Sequence, residues 1–360
     1  MKKLILYLLI YSCVEILHAQ DPFYSQLFSN RIYLNPALVG ANKGMRLATI
    51  HRQLWPNVPG PLNTTGIGVD ISAPAISGGL GLTAMSDNRG EGFLNTTQLG
   101  IIYAYRNLMG RSGNTEFSLA TGINMVNKSI DWTKLEFSDE FDPVLGKVYK
   151  SSAQQPANTS IFYSDFDFGF SFNHRIRRFI RESYIGWGGA FHHLTRPDES
   201  FIGVHRRLPL KSSIYIGAMI PIKNFRSKTP TQFFPHIYYS QQGQKAFDEV
   251  VFQAFQAGCF LYKDWYFVGI DYRNSPYTTF RNTDALIINM GIHSGIGNAG
   301  SYQITYSLDV NLGGIRTQTW GSHEISLIFT YDEFKFGRNR GSRKPLNCFD
   351  FPQRGVFRMF

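Results

Sequence analysis

The residues best suited to chemistry are the adjacent His192 and His193, which run into Leu194, Thr195, Arg196, Pro197, Asp198, Glu199 and Ser200. Imidazoles beside carboxylates can move protons or hold a divalent metal. Neighbouring side chains on a strand point to opposite faces, so this pair cannot share one metal without a bend. A polar, turn-rich run of this kind more commonly anchors a loop, and His193, Arg196, Asp198 and Glu199 are read as candidate partner-binding residues. A second set of acids, Asp70, Asp165, Asp167, Asp271, Asp309 and Glu324, falls on the polar positions of alternating segments. Two of them together could do acid and base work. Nothing sets a couple apart, however, and carboxylates taken out of water are stabilised by cations. Arg46, Arg52, Arg106 and Arg273 are the expected partners. No Gly-x-Ser-x-Gly elbow, Walker loop, His-Glu-x-x-His or dinucleotide fingerprint occurs, and Cys259 and Cys348 fit no metal spacing. No catalytic residue, cofactor or metal is assigned, and the chain reads as non-enzymatic.

The elements that carry these acids are strands. From Asp165 to Asn173 every even position is phenylalanine and every odd one is small or polar. A helix would scatter the rings, whereas a strand puts Phe166, Phe168, Phe170 and Phe172 on one side and both aspartates on the other. Two folds satisfy such a strand: a soluble sandwich with the rings inside, or a membrane barrel with the rings toward lipid and the aspartates in the lumen. The pattern recurs. Thr65, Ile67, Val69, Ile71 and Ala73 oppose Thr64, Gly66, Gly68, Asp70 and Ser72, and His323, Ile325, Leu327, Phe329 and Tyr331 oppose Glu324, Ser326, Thr330 and Asp332. Leu99, Ile101, Tyr103 and Tyr105 also alternate, although Ile102 and Ala104 blur that segment. About fourteen such segments fill residues 44–332, separated by Gly, Pro, Asn or Asp clusters.

Composition and address favour the membrane. Lys2 and Lys3 precede an apolar run from Leu4 to Leu17 and a cleavage-like Leu17, His18, Ala19, so residues 1–19 read as a signal peptide. No run is long and apolar enough for a transmembrane helix. High aromatic content (15%), low charge (17%) and 34 glycines suit a large β-protein. The net charge of +10 is compatible with anionic lipid or an acidic protein partner, and export argues against nucleic acid.

Connection lengths alternate as well, short on one side and long on the other, as in bacterial outer-membrane barrels with periplasmic turns and external loops. With a periplasmic start, Arg175, Arg177, Arg178 and Arg181 fall in one periplasmic turn. Lys335, Arg338, Arg340, Arg343 and Lys344 then fall in a basic tail, and the long external stretch from Lys128 to Ser160 carries Asp139, Glu140 and Asp142. The basic rim is a candidate docking face for an acidic periplasmic protein, and the acidic loop a candidate for an external one. The expected layout is a signal peptide (1–19), an irregular arm (20–43) able to fold into the lumen as a partial plug, an all-β antiparallel transmembrane β-barrel of about fourteen strands (44–332) and a periplasmic tail (333–360), placed in the outer membrane.

Three pieces carry a family resemblance: Gln20, Asp21, Pro22, Phe23, Tyr24, Ser25, Gln26 with Asn35, Pro36, Ala37 and Gly40; the run from His192 to Phe201; and Gly321, Ser322, His323, Glu324, Ile325, Ser326, Leu327. Together they resemble the PorP/SprF family of the Bacteroidetes type IX secretion and gliding machinery. The tail departs from the family ending, because Cys348 is followed by Phe349 and an extension to Phe360. The resemblance implies an outer-membrane barrel with protein partners: a periplasmic ring lipoprotein and its peptidoglycan-linked partner, or the C-terminal domain of a secreted adhesin anchored at the surface. A passive channel for small or hydrophobic solutes is the alternative.

Overall fold

Alternation of small or polar residues with apolar ones, repeated through the chain, builds one sheet closed on itself. In the computed structural model, residues 21–334 are described except 43, 61, 91–93, 110–113, 157, 177–182, 202, 204, 206, 223–230, 244–250, 275–284, 298–299 and 313–318. Among the described residues, fourteen antiparallel strands close a barrel. Seven form its first half: β1 (Met45–Leu54), β2 (Leu62–Ala73), β3 (Gly78–Arg89), β4 (Leu94–Met109), β5 (Thr115–Ile130), β8 (Ser160–Ile176) and β9 (Ser183–His192). The second half comprises β10 (Lys211–Ile222), β11 (Thr231–Gln242), β12 (Phe252–Lys263), β13 (Tyr266–Asn274), β14 (Ala285–Ile296), β15 (Gly300–Asn311) and β16 (Ser322–Tyr331). Sequence neighbours pair throughout, and β1 closes on β16 with Met45 opposite Tyr331 and Arg52 opposite Glu324. A small hairpin, β6 (Phe141–Asp142) with β7 (Gly146–Lys147), stands apart in the longest connection.

The pleat sorts the faces as the alternation predicts. Asp165 and Asp167 are buried inside while Phe166 and Phe168 are exposed on the outer wall with Ile67, Leu82, Ile101 and Val268. The two mouths differ. Residues 74–77 and 264–265 connect strands at one, the turn mouth, whereas the described parts of 131–159 and 193–210 connect them at the other, the loop mouth. Strands β8 and β10 run on to Ile176 and Ile222, beyond the clear alternation of their segments. Arg175 therefore lies within β8 and not in the turn expected to hold it.

The arm fills the lumen. Its helical turn, Arg31–Leu34, and the 3-10 turn Pro36–Leu38 are buried. Leu27, Phe28, Leu34 and Leu38 pack on Tyr215, Phe234 and Phe260, and Ile32, Ala37 and Val39 on Ile102, Ala104 and Ala120. Polar strand positions bind the arm's backbone and side chains. Asp70 holds Arg31 (2.7 Å) and the Gly40 N–H (2.8 Å), the Arg106 guanidinium donates to the carbonyl oxygens of Val39 (3.0 Å) and Gly40, and Arg46 donates to that of Ser29 (2.7 Å). The arm thus crosses from the turn mouth, where it joins β1, toward the loop mouth.

At one close approach the arm meets the wall glycine on glycine. Gly40 has φ +64°, and a Cβ there would lie 2.5 Å from the Gly79 Cα. Both the left-handed backbone and the contact exclude a side chain. Gly40→Ala is expected to cost about 1–3 kcal/mol of arm attachment through strain and overpacking. Limited proteolysis should find the arm cleaved faster in that variant, and an unchanged rate would refute the tight seating described.

Candidate functional site

The buried carboxylates are the first test of the candidate chemistry, and each described one has a partner. Asp309 pairs with Arg52 (3.0 Å) and Arg273 (2.7 Å), and Glu324 with Arg52 (3.3 Å). Ser25 joins them, its Oγ donating to Asp309 (2.7 Å) and accepting from Arg52 (2.6 Å), while the Ser25 and Gln26 N–H groups donate to Glu324 (both 2.8 Å). Asp271 lies 2.6 Å from His236 and accepts from Asn289 at the same distance. Two of the four expected arginines, Arg52 and Arg273, meet these acids. Arg106 instead pairs with Glu116 (3.2 Å), and Arg46 binds the arm. Asp70 takes its cation from Arg31 of the arm, which periodicity in the strands could not reveal. Among the described residues, each of these acids holds structure in place and no acid and base couple stands apart from the network.

At the loop mouth the chain bends where opposite faces were expected. Strand β9 ends at His192, and His193 has φ +62°, so both rings reach the acids of β8: His192 lies 3.1 Å from Asp167 and His193 2.6 Å from Asp165. His193 Nε2 also meets Asp21 at 2.9 Å, and Lys211 meets Asp21 at 3.1 Å. Among the described residues no His, Cys, Asp and Glu cluster is arranged to hold a metal ion. A cavity with about 90 Å³ open to water lies here, lined by Asp21, Tyr33, Asp167, His192, His193 and Lys211 among others. That is room for several waters.

Electrostatics turn these contacts into a latch. Burial disfavours the imidazolium of His193, but Asp21 and Asp165 outweigh it and raise its pKa to about 10. Burial likewise opposes ionisation of Asp21, yet His193 and Lys211 hold its carboxyl well below the usual range. The sign of the linkage follows. The His193 contribution is complete below its unfolded pKa of about 6.5 and fades as pH rises toward 10, whereas the Asp21 contribution is lost only in acid, below about pH 4. Proteolysis of the arm should accelerate between about pH 6.5 and 10 in the wild type. His193→Gln, with nothing to titrate, should be flat across that window, and parallel profiles for the two proteins would exclude His193 as the titrating group.

The same loop reaches the acidic connection. Glu199 pairs with Lys128 at the end of β5 (2.8 Å), just before residues 131–159. Arg196 has φ +46° and its N–H donates to the His193 carbonyl (3.1 Å); Asp198 binds exposed His205 (2.6 Å) and bridges to Arg207. Within the long connection Asp142 accepts the N–H groups of Val144 (2.8 Å) and Leu145 (2.9 Å), capping the turn of the β6–β7 hairpin. Asp139 accepts from the Ser152 N–H (2.7 Å), and Lys147 bonds Glu140 (2.9 Å). Backbone donors lower the pKa of both Asp139 and Asp142, so they stay charged at neutral pH. Capping this tightly leaves the hairpin's apolar tip outside, with Val144 87% and Leu145 72% exposed.

The predicted site residues therefore divide. His193, Arg196, Asp198, Glu199, Asp139, Glu140 and Asp142 all belong to the loop mouth. Arg175 is at the opposite mouth, its guanidinium 5.7 Å over the Tyr184 ring, and Arg177, Arg178 and Arg181 lie outside the described residues, as does the tail from 335. Asp21, Lys211 and Gln242 were missed, because their meeting depends on the path of an arm with no strand period.

Solved structures similar to this chain include a Pseudomonas aeruginosa FadL homologue, at 11% identity and a TM-score of 0.45 over 85% of this chain and 93% of that one. The Ralstonia pickettii toluene transporter TbuX matches at 9% identity and a TM-score of 0.44 over 83% and 92%. No curated protein matches. The description "Type IX secretion system membrane protein PorP/SprF" matches residues 16–329, which takes in the arm and nearly all of the barrel. The arm's Asp21-to-Gln26 run, the His192 loop and the Gly321-to-Leu327 strand converge on one plugged outer-membrane barrel, and the chain belongs to the PorP/SprF family of type IX secretion membrane proteins.

Proposed function

We propose that this barrel is a plugged, non-enzymatic anchor in the outer membrane that holds a secreted adhesin's C-terminal domain at its loop mouth, with its turn mouth toward the periplasmic secretion and gliding components. The observation that carries this reading is the arm. A lumen occupied from Asp21 to Asn42 and bonded to strands around its wall has the arm lying where a solute would pass, whereas the loop mouth presents a shaped and exposed surface. Fixed acidic turns around an apolar hairpin tip suit a partner surface that is apolar at its centre and basic at its rim. The basic turn at Arg177, Arg178 and Arg181 would serve an acidic periplasmic protein in the same way.

Burying Val144 and Leu145 against a partner is worth about 1.5–3 kcal/mol each. Val144→Asp with Leu145→Asp should therefore reduce recovery of a secreted protein at least about tenfold in mild-detergent purification from membranes, without reducing recovery of periplasmic components. Equal recovery of the secreted protein with both aspartates in place would reject the hairpin as its seat. A large steady conductance from the purified wild-type barrel in planar bilayers would favour a channel instead.

A further inference from the structure

The arm enters the lumen at one mouth and ends at the other. At its carboxyl end the Gly40 N–H donates to Asp70, Arg31 donates to Asn42 (2.7 Å), and the chain passes directly into β1 at Met45 on the turn side. At its amino end every partner of Asp21 belongs to the loop side. His193 immediately follows β9, Lys211 is the first residue of β10, and Gln242 is the last of β11. The contacts are two-sided: Gln242 Oε1 accepts the Asp21 N–H (3.2 Å), and Gln242 Nε2 donates to Asp21 Oδ1 (3.1 Å). One residue on, the Pro22 carbonyl accepts from Tyr33 (2.6 Å), whose hydroxyl also accepts from Lys211 (3.2 Å). An end gripped from three adjacent strand termini has no slack to turn back through a lumen that its own Phe28, Ile32 and Leu34 fill.

We infer that the amino end of the arm at Asp21 is displayed at the loop mouth, on the same side of the membrane as residues 131–159, as part of the surface an external protein partner meets. The polarity has a mechanical meaning. Glu199 ties the His193 loop to Lys128 beside the acidic connection, and His193 ties it to Asp21, so a partner pressing on the loops bears on the arm's free end without entering the lumen. The plug is secured from the side that the partner approaches.

The proposed function supplies only which side is outside; that the two features share a side follows from the contacts above. Two variants of the full-length protein separate these claims in intact cells: a short epitope between Gln20 and Asp21, and the same epitope between Ala153 and Gln154. Both should bind antibody before the outer membrane is permeabilised. If the loop epitope is reached on intact cells and the amino-terminal one only after permeabilisation, the inference is overturned. Should both be hidden until permeabilisation, they share the inner side, and it is the proposed orientation that fails. Because an epitope can disturb the latch, a single cysteine inserted between Gln20 and Asp21 in a Cys259→Ser, Cys348→Ser background gives a second reading with a membrane-impermeant maleimide. Complete labelling on intact cells supports display, and labelling only after permeabilisation, with the loop epitope accessible, again overturns it.

Discussion

Arg52→Met is expected to release the plug and to destabilise the barrel by about 3–5 kcal/mol, the range for removing one member of a buried ion pair. Arg52 reaches Asp309 and Glu324 at once and donates to Ser25, so its loss removes a wall-to-wall tie and a wall-to-arm tie together. Asp309 keeps Arg273 at 2.7 Å, but Glu324 is left buried with only neutral N–H donors. Most of the cost should therefore sit on Glu324. The double variant Arg52→Met, Glu324→Gln removes the uncompensated charge and should recover part of the loss, a coupling that urea midpoints of the wild type, the two single variants Arg52→Met and Glu324→Gln, and the double variant would quantify. Conductance supplies a second readout, since a loosened arm should admit ions that the wild type excludes. If the single variant matched the wild type in both, the arm could not be held as described.

The other large effect is on the outer wall. Ile101 is 65% exposed near the middle of β4, while Ile102 beside it is 3% exposed and packs against the arm. Arginine on the lipid face at mid-bilayer costs about 2–4 kcal/mol, so Ile101→Arg should lower the folding yield into bilayers accordingly and Ile101→Leu should not. Ile102→Ala provides the contrast. It should loosen the arm by leaving a cavity, with insertion untouched. Folding of Ile101→Arg into vesicles at the wild-type yield would contradict a membrane-facing wall at that position.

These adjacent isoleucines also show what was legible in advance. Strands facing lipid on one side and polar lumen on the other write a two-residue period into the sequence, and β2, β8 and β16 are readable from it alone. The period blurs at Ile102 and Ala104 because those lumen positions are apolar. They are apolar because Ile32, Ala37 and Val39 cover them. Phe234 and Phe260 are the same signal on the opposite wall, where Phe28 packs. A break in alternation on the inner face was thus the imprint of the arm, readable only once the arm is known to be there. The six lumen acids were visible as a set, but Arg31 as the partner of Asp70 and His193 as that of Asp165 were not, because the first depends on the arm's path and the second on a bend at His193 that strand logic does not supply. His192 and His236 meet Asp167 and Asp271 from nearby strand positions, which the expectation of arginine partners passed over.

The Arg52, Ser25 and Glu324 contacts bear on how the molecule is made. Ser25 lies 299 residues before Glu324 and 284 before Asp309, and Arg52 stands opposite Glu324 across the β1–β16 seam. Contacts so distant along the chain cannot form until the intervening segments are ordered, which makes them late events in folding. The arm is among the first parts synthesised, yet its bonds to Glu324 come into existence only when the final strand docks. A barrel arrested one strand short would keep the arm's contacts to β1, β2 and β4 but lack the closing seam and the Glu324 bonds to Ser25 and Gln26, so a fully seated arm marks a finished barrel. Protease resistance of the arm would then serve as a timer for the last step of assembly.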